Sequence, residues 1–160
     1  MEIILGRVVS KEISSSSFSF HSDAVHAFDE ILTKGLLGFN SDLVETLAVT
    51  LVCLSPQFTT FYNVSRPKYY EDKTLKIKDP VTPEVRMYKC LTADFVVDFE
   101  SYFRLTTKEE CLNYLALSFL DFLKNLKYPG KLKKFEKEKL LQMVRDTFIE
   151  NSILSVNDGI

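Results

Sequence analysis

Tryptophan is absent from this 160-residue chain, and histidine, cysteine, methionine, glycine and proline number only two, three, three, five and five. Each scarcity removes a class of chemistry. Cys53, Cys90 and Cys111 are scattered without a CxxC pair, so neither a disulfide framework nor a thiolate metal site is expected. They read as buried free thiols, which suits a reducing compartment. His21 and His26 are five apart, off the i, i+4 register that places two ligands on one helical face. They are expected beside the first helix start, at the surface or next to the cap. The few glycines form no phosphate-cradling loop, and neither GxSxG nor HExxH occurs. No catalytic, cofactor or metal constellation is therefore expected. No run approaches the roughly eighteen apolar residues of a membrane helix. The opening MEIILGRVVSKEI lacks a basic leader, so the expected location is cytoplasmic.

Charge of one sign is scarce as well. Residues 1–65 carry three basic and seven acidic side chains, a balance of −4; residues 66–160 carry seventeen and fifteen, a balance of +2, and the total is −2. Neither half is the basic stripe of a nucleic-acid binder. Six lysines (127, 131, 133, 134, 137 and 139) gather around the start of the last expected helix, where positive charge opposes the dipole. Solubility is the simplest reading of that cluster.

What the chain does have is phenylalanine: thirteen, with seven tyrosines, in a sequence that is 46% hydrophobic and 26% charged. That predicts a single domain, residues 1–150, whose core is built largely on Phe, with a frayed tail at 151–160. Residues 3–9 are apolar and β-branched and predict a strand. Phe18 and Phe20 could pair briefly with a neighbour. Ser22 or Asp23 can cap a helix to Lys34, with Gly35 at C′. Residues 43–54 fit helical spacing, yet Val44, Thr46, Val49, Thr50 and Val52 are β-branched; strand is preferred and helix stays open. Residues 58–64 predict a further strand. Residues 65–84 read as a long excursion holding one short strand near 74–78, whose lysines could protect an edge. Thr106 and Thr107, each three residues before a glutamate, predict a capping box and a helix to Leu126. After Pro129–Gly130 a last helix spans 135–150.

Residues 85–105 alternate apolar and polar side chains, the period of a half-buried strand. Odd positions, among them Leu91, Phe95 and Val97, face a core. At about 3.3 Å per residue such a strand would reach roughly 65 Å, against a domain diameter of about 40 Å. It must coil strongly or stop short near its ends, and one coiled strand running into the capped helix is the expectation adopted. The resulting fold class is α+β: a mainly antiparallel twisted sheet, helices on one face, two of them C-terminal.

The even side of that strand supplies the candidate site. Asp94, Asp98 and Glu100 would show water a row of acids, edged by Tyr88 and Tyr102, and tyrosine favours interfaces. Tyr69, Tyr70 and Asp72, in the excursion, could extend it. An open sheet face excludes no water, so the acids read as solvated surface or as a docking surface for a basic partner, not as a catalytic pair.

Three segments together carry a resemblance: ETLAVTLVCLS, YKCLTADFVVDFESYF, and ECLNYLALSFLDFLKNL followed by a helix ending in RDTF. Their layout over about residues 1–150 resembles bacterial immunity proteins of polymorphic-toxin and contact-dependent inhibition systems, in particular immunity protein 44. The resemblance implies a non-enzymatic cytosolic protein that binds a cognate toxin domain and blocks it. Charge, hydropathy and the missing motifs lead us to expect no nucleic acid, membrane or cofactor partner, and a monomer or weak homodimer is expected. It carries no set of functional residues. Two other classes stay open. A secretion chaperone would be dimeric and grip an unfolded effector; a small-ligand protein would need a true cavity among the phenylalanines.

Overall fold

Strands β1 (Glu2–Val9), β2 (Thr46–Cys53), β3 (Lys68–Lys76) and β4 (Val85–Val96) form one sheet in the order β1-β2-β4-β3. The computed structural model describes residues 2–9, 19–39, 45–56, 62–64, 67–76, 85–126 and 134–156, with β3 and the first part of β4 described through their backbone pairing. β1 pairs parallel with β2, Leu5 opposite Val49, and β2 pairs parallel with β4, Val49 opposite Ala93. Only β3 runs antiparallel, along the outer side of β4, with a register irregularity between Asp72 and Leu75.

The mainly antiparallel sheet expected from sequence is thus corrected: two of the three pairings are parallel. Period-two alternation is identical in either sense of pairing. The decisive fact is the helix α1 (Ser19–Leu36) between β1 and β2, since parallel neighbours need a crossover of a dozen or more residues. β2 is a strand, as preferred over helix, and it is buried at Leu47, Val49, Leu51, Val52 and Cys53. That two-sided apolar run suits its place inside the sheet.

Helix α1 begins three residues before the expected Ser22 cap, and takes Phe20 into a helix instead of a strand. Gly35 lies inside it, not at C′. The residue is small because α1 meets the last helix there: a Cβ on Gly35 would stand 2.6 Å from Thr147 Oγ1 and 3.0 Å from Thr147 Cβ. Residues 57–61 and 77–84 lie outside the described residues, so most of the strand expected over 58–64 is untested; 62–64 are irregular. The short strand expected near 74–78 is instead the nine-residue β3, which takes Tyr69, Tyr70 and Asp72 out of a loop and into the edge of the sheet.

β4 stops at Val96, well before the coiled strand expected to Leu105. Its alternation holds to the end: Leu91, Ala93, Phe95 and Val97 are buried, while Thr92 and Asp94 are half-buried and Val96 is exposed. Asp98 then accepts hydrogen bonds from Ser101 N (3.0 Å) and Ser101 Oγ (2.6 Å), capping the short helix α2 (Phe99–Phe103). A strand ending here satisfies the size limit without coiling.

Helix α3 (Lys108–Asn125) follows the capping signal. Thr107 Oγ1 accepts from Glu110 N at 3.1 Å, and the Glu110 carboxylate turns back toward Thr106. Its other end is closed by Lys137, whose ammonium donates to the Lys124 and Leu126 carbonyls. One member of the basic cluster therefore satisfies a helix C-terminus. Helix α4 (Lys134–Glu150) ends in a left-handed Ser152 (φ 59°), with Ser152 N donating to Ile149 O and Ile153 N to Phe148 O. This Schellman turn folds Ile153 and Leu154 into the core, and Asn113 Nδ2 donates to Ile153 O. The frayed tail expected from 151 does not apply to residues 151–156.

The helices α1, α3 and α4 pack on the odd face of the sheet. Phe28 of α1, Phe95 of β4, Phe119 of α3 and Phe148 of α4 meet at their centre, with Phe28 and Phe95 rings 5.5 and 5.3 Å from Phe119, and Phe28 5.7 Å from Phe148. Arg7 of β1 reaches Asp29 of α1 at 2.9 Å. Both are about a quarter exposed, so the pair orients more than it stabilises.

His21 is buried, not at the surface, with its ring 4.1 Å from Phe20, 4.8 Å from Phe103 and 5.2 Å from Tyr102. Burial lowers its pKa below the usual 6.5, against backbone hydrogen bonds at Tyr102 and Leu105 that pull upward. The free thiols are buried as expected, and burial pushes Cys53 up to about 12 and Cys111 to about 11.

Two outcomes follow from this packing. Gly35→Ala gains helix propensity of up to about 1 kcal/mol but overpacks Thr147 at a cost of roughly 1–3 kcal/mol, so urea unfolding should show a net loss. Thr147→Ala in the same chain should recover much of it, and additive effects would disprove the contact. For His21 the unfolded chain takes up the proton first. Its contribution to stability is complete above pH 6.5 and falls as pH drops from there through the folded pKa. Urea midpoints measured from pH 7.5 to 5 should fall, and His21→Gln should flatten that part of the curve.

Candidate functional site

The three long helices gather on the odd side; on the even side Thr46, Val52 and Cys90 are buried, while Ile4 and Val96 remain exposed. Register aligns the backbone positions of the even side in rows: Ile4, Ala48, Thr92 and Lys68 in one, Gly6, Thr50 and Asp94 in the next, then positions 8, 52 and 96. The middle of this surface is small and β-branched, which makes it flat. Its outer parts are apolar and wet, Ile4 being 49% and Val96 55% exposed. Val64, on the segment that follows Tyr62, is 56% exposed.

Asp94 is the polar centre of this face. It accepts a hydrogen bond from Tyr62 Oη at 3.0 Å. Burial first, and the Asp94 carboxylate second, push the Tyr62 phenol above its ordinary value, so the hydroxyl stays a donor. The pair is fixed in position without being enclosed.

The other residues of the expected acidic row separate. Because β4 ends at Val96, Asp98 and Glu100 do not continue the ladder. Asp98 is at the strand's end, its carboxyl held below the ordinary range chiefly by the Ser101 hydroxyl and then by the Ser101 backbone N–H. Glu100 is exposed on α2. Tyr102 is turned inward: it is 1% exposed, and its hydroxyl donates to His21 O at 2.7 Å. It is a core residue and offers no contact area. For Tyr69, Tyr70, Asp72 and Tyr88 the backbone places β3 against β4, Tyr69 opposite Leu91 and Asp72 opposite Tyr88; their side chains lie outside what is described.

The apolar residues Ile4, Val64 and Val96 and the tyrosine Tyr62 were not expected in the site. Val96 had a visible signal, being an apolar residue on the polar phase of the alternation. Ile4 had none, because its exposure depends on which face the helices choose. A second concavity, a groove of about 510 Å³, runs between α3 and α4, floored by Leu117, Leu120 and Leu141 and rimmed by Asp121, Lys124 and Arg145. No described group of His, Cys, Asp and Glu could hold a metal ion, and no described helix is long and apolar enough to cross a membrane. The space between sheet and helices, where a ligand cavity was an alternative, is occupied by the phenylalanine rings.

Compared with known proteins, the chain matches immunity protein 44 over residues 10–150. No curated protein and no solved structure matches it. A match spanning nearly the whole chain makes this protein a member of the immunity protein 44 family.

Proposed function

We propose that this protein neutralises a cognate bacterial toxin domain by binding it directly, in the cytoplasm, as the immunity partner of a polymorphic or contact-dependent inhibition toxin. Membership of the immunity protein 44 family over residues 10–150 carries the reading. On this reading inhibition is steric and electrostatic and needs no catalysis by the immunity protein.

The surface that best fits such a partner is the part of the even sheet face around Asp94 and Val96, where Val96 is exposed. A half-buried carboxylate fixed by Tyr62, bordered by exposed valines, offers one charged anchor within apolar area. Interfaces concentrate binding energy in such desolvated centres. Glu100 lies beyond the end of β4 and adds long-range attraction for a basic toxin surface. Asp98 serves α2 as its cap and is a poor choice for mutation, because its loss would disturb the helix itself.

The test is co-expression with the toxin encoded beside the gene, followed by calorimetry on the purified pair. The natural chain should bind and protect cells. Asp94→Lys with Val96→Lys should weaken binding by at least about tenfold, some 1.4 kcal/mol or more, with an unchanged melting temperature. Absence of binding by the natural chain at micromolar concentration removes the proposed function. Full affinity in the folded double variant moves the interface elsewhere.

A further inference from the structure

The two edges of the sheet are built differently. β3 carries Lys68, Lys73 and Lys76 and a register irregularity between Asp72 and Leu75. Edge lysines and irregular register are the means by which natural sheets refuse a further strand. β1 has neither. Its sequence EIILGRVV contains no lysine and no proline, and it pairs with β2 in unbroken register from Glu2 to Val9. Its one basic residue, Arg7, is committed to Asp29 of α1. Among the described residues, β2 is the only strand paired with β1, and none of them pairs with its other long side.

We propose that β1 is a homodimerisation edge, pairing antiparallel with β1 of a second copy about a two-fold axis at Leu5. Residues directly opposite in such a pair must point to the same face of the sheet, which requires opposite positions of equal parity. Centring on Leu5 meets that rule and sets Ile4 of each copy opposite Gly6 of the other. Ile4 is 49% exposed, while Gly6 is exposed and has no side chain; the isoleucine fills the place the glycine leaves empty, twice per dimer. On the helix side Ile3 falls opposite Arg7, whose aliphatic stem can cover it. The self-complementary fit of Ile4 and Gly6 favours a second copy over an unrelated strand. Two four-stranded sheets then become one of eight strands, and the exposed β-branched edge is withdrawn from water. This inference stands independently of toxin binding.

Sedimentation equilibrium of the full chain checks it. The mass should rise with concentration toward twice that of one chain. Ile4→Lys should raise the dissociation constant at least about tenfold, since a charge must then be desolvated at the new pairing. A cross-linking experiment tests the register independently of that variant's stability. Chains carrying Ile4→Cys mixed with chains carrying Gly6→Cys should form disulfide-linked heterodimers on mild oxidation, much faster than either forms homodimers. Directly opposite Cβ atoms are about 5 Å apart, whereas the 4–4 and 6–6 diagonals are about 7–8 Å. The buried native thiols do not compete. A chain monomeric over its whole soluble range, a dimer indifferent to Ile4→Lys, or homodimers forming as fast as heterodimers would each overturn the pairing.

Discussion

Everything else in this fold depends on four phenylalanine rings. Phe28, Phe95, Phe119 and Phe148 come one each from α1, β4, α3 and α4, and their mutual contacts at 5.3 to 6.4 Å hold three helices against one strand. Each ring is fully buried, and removing any one to alanine would cost about 3–5 kcal/mol, a large part of a domain's stability. Edge-to-face and stacked geometry adds direction to that burial, so the rings fix angles as well as distances. Among the described residues, the three long helices are all committed to the odd face of β4. That these three helices all lie on one side is thus a consequence of how the core is filled.

The same constraint explains why an alternating row of acids does not become a single site. The strand has to end within the width of the domain, and Asp98 ends it by capping α2. The next turn carries Tyr102 into the cluster around His21, where its hydroxyl meets the His21 carbonyl. One stretch of alternation is thereby divided among three roles. Asp94 stays on the sheet surface, Asp98 shapes the backbone, and Tyr102 joins the core.

Local signals in the sequence are legible where one residue's chemistry determines the outcome. Thr107 and Glu110 cap α3 because their side chains satisfy N–H groups within one turn. Leu91, Ala93 and Phe95 are buried together because a period of two admits only two faces. Structure is not legible in the sequence where the deciding contact is distant along the chain. Gly35 looks like a helix terminator, but the contact that requires it is with Thr147, more than a hundred residues away. Ser152 takes a left-handed conformation that glycine would signal more clearly, so the docking of Ile153 and Leu154 was hidden. The direction of strand pairing was legible in principle: a helix of eighteen residues between β1 and β2 leaves the parallel arrangement as the natural one.

Parity links the two surfaces of the molecule. A strand added to β1 by a two-fold operation normal to the sheet keeps even positions on the even face, so the even faces of both copies look the same way. Their helices likewise share the opposite side. The Asp94 centres lie two strands in from the joined edges, since β4 is separated from β1 only by β2. At about 4.8 Å per strand they stand five strand spacings apart, roughly 24 Å. That separation exceeds the Debye length of about 8 Å at physiological salt, so neither carboxylate weakens the other's attraction for a positively charged partner. The proposed pairing through β1 would therefore duplicate the proposed toxin-binding face without covering it, so the two proposals are compatible with each other.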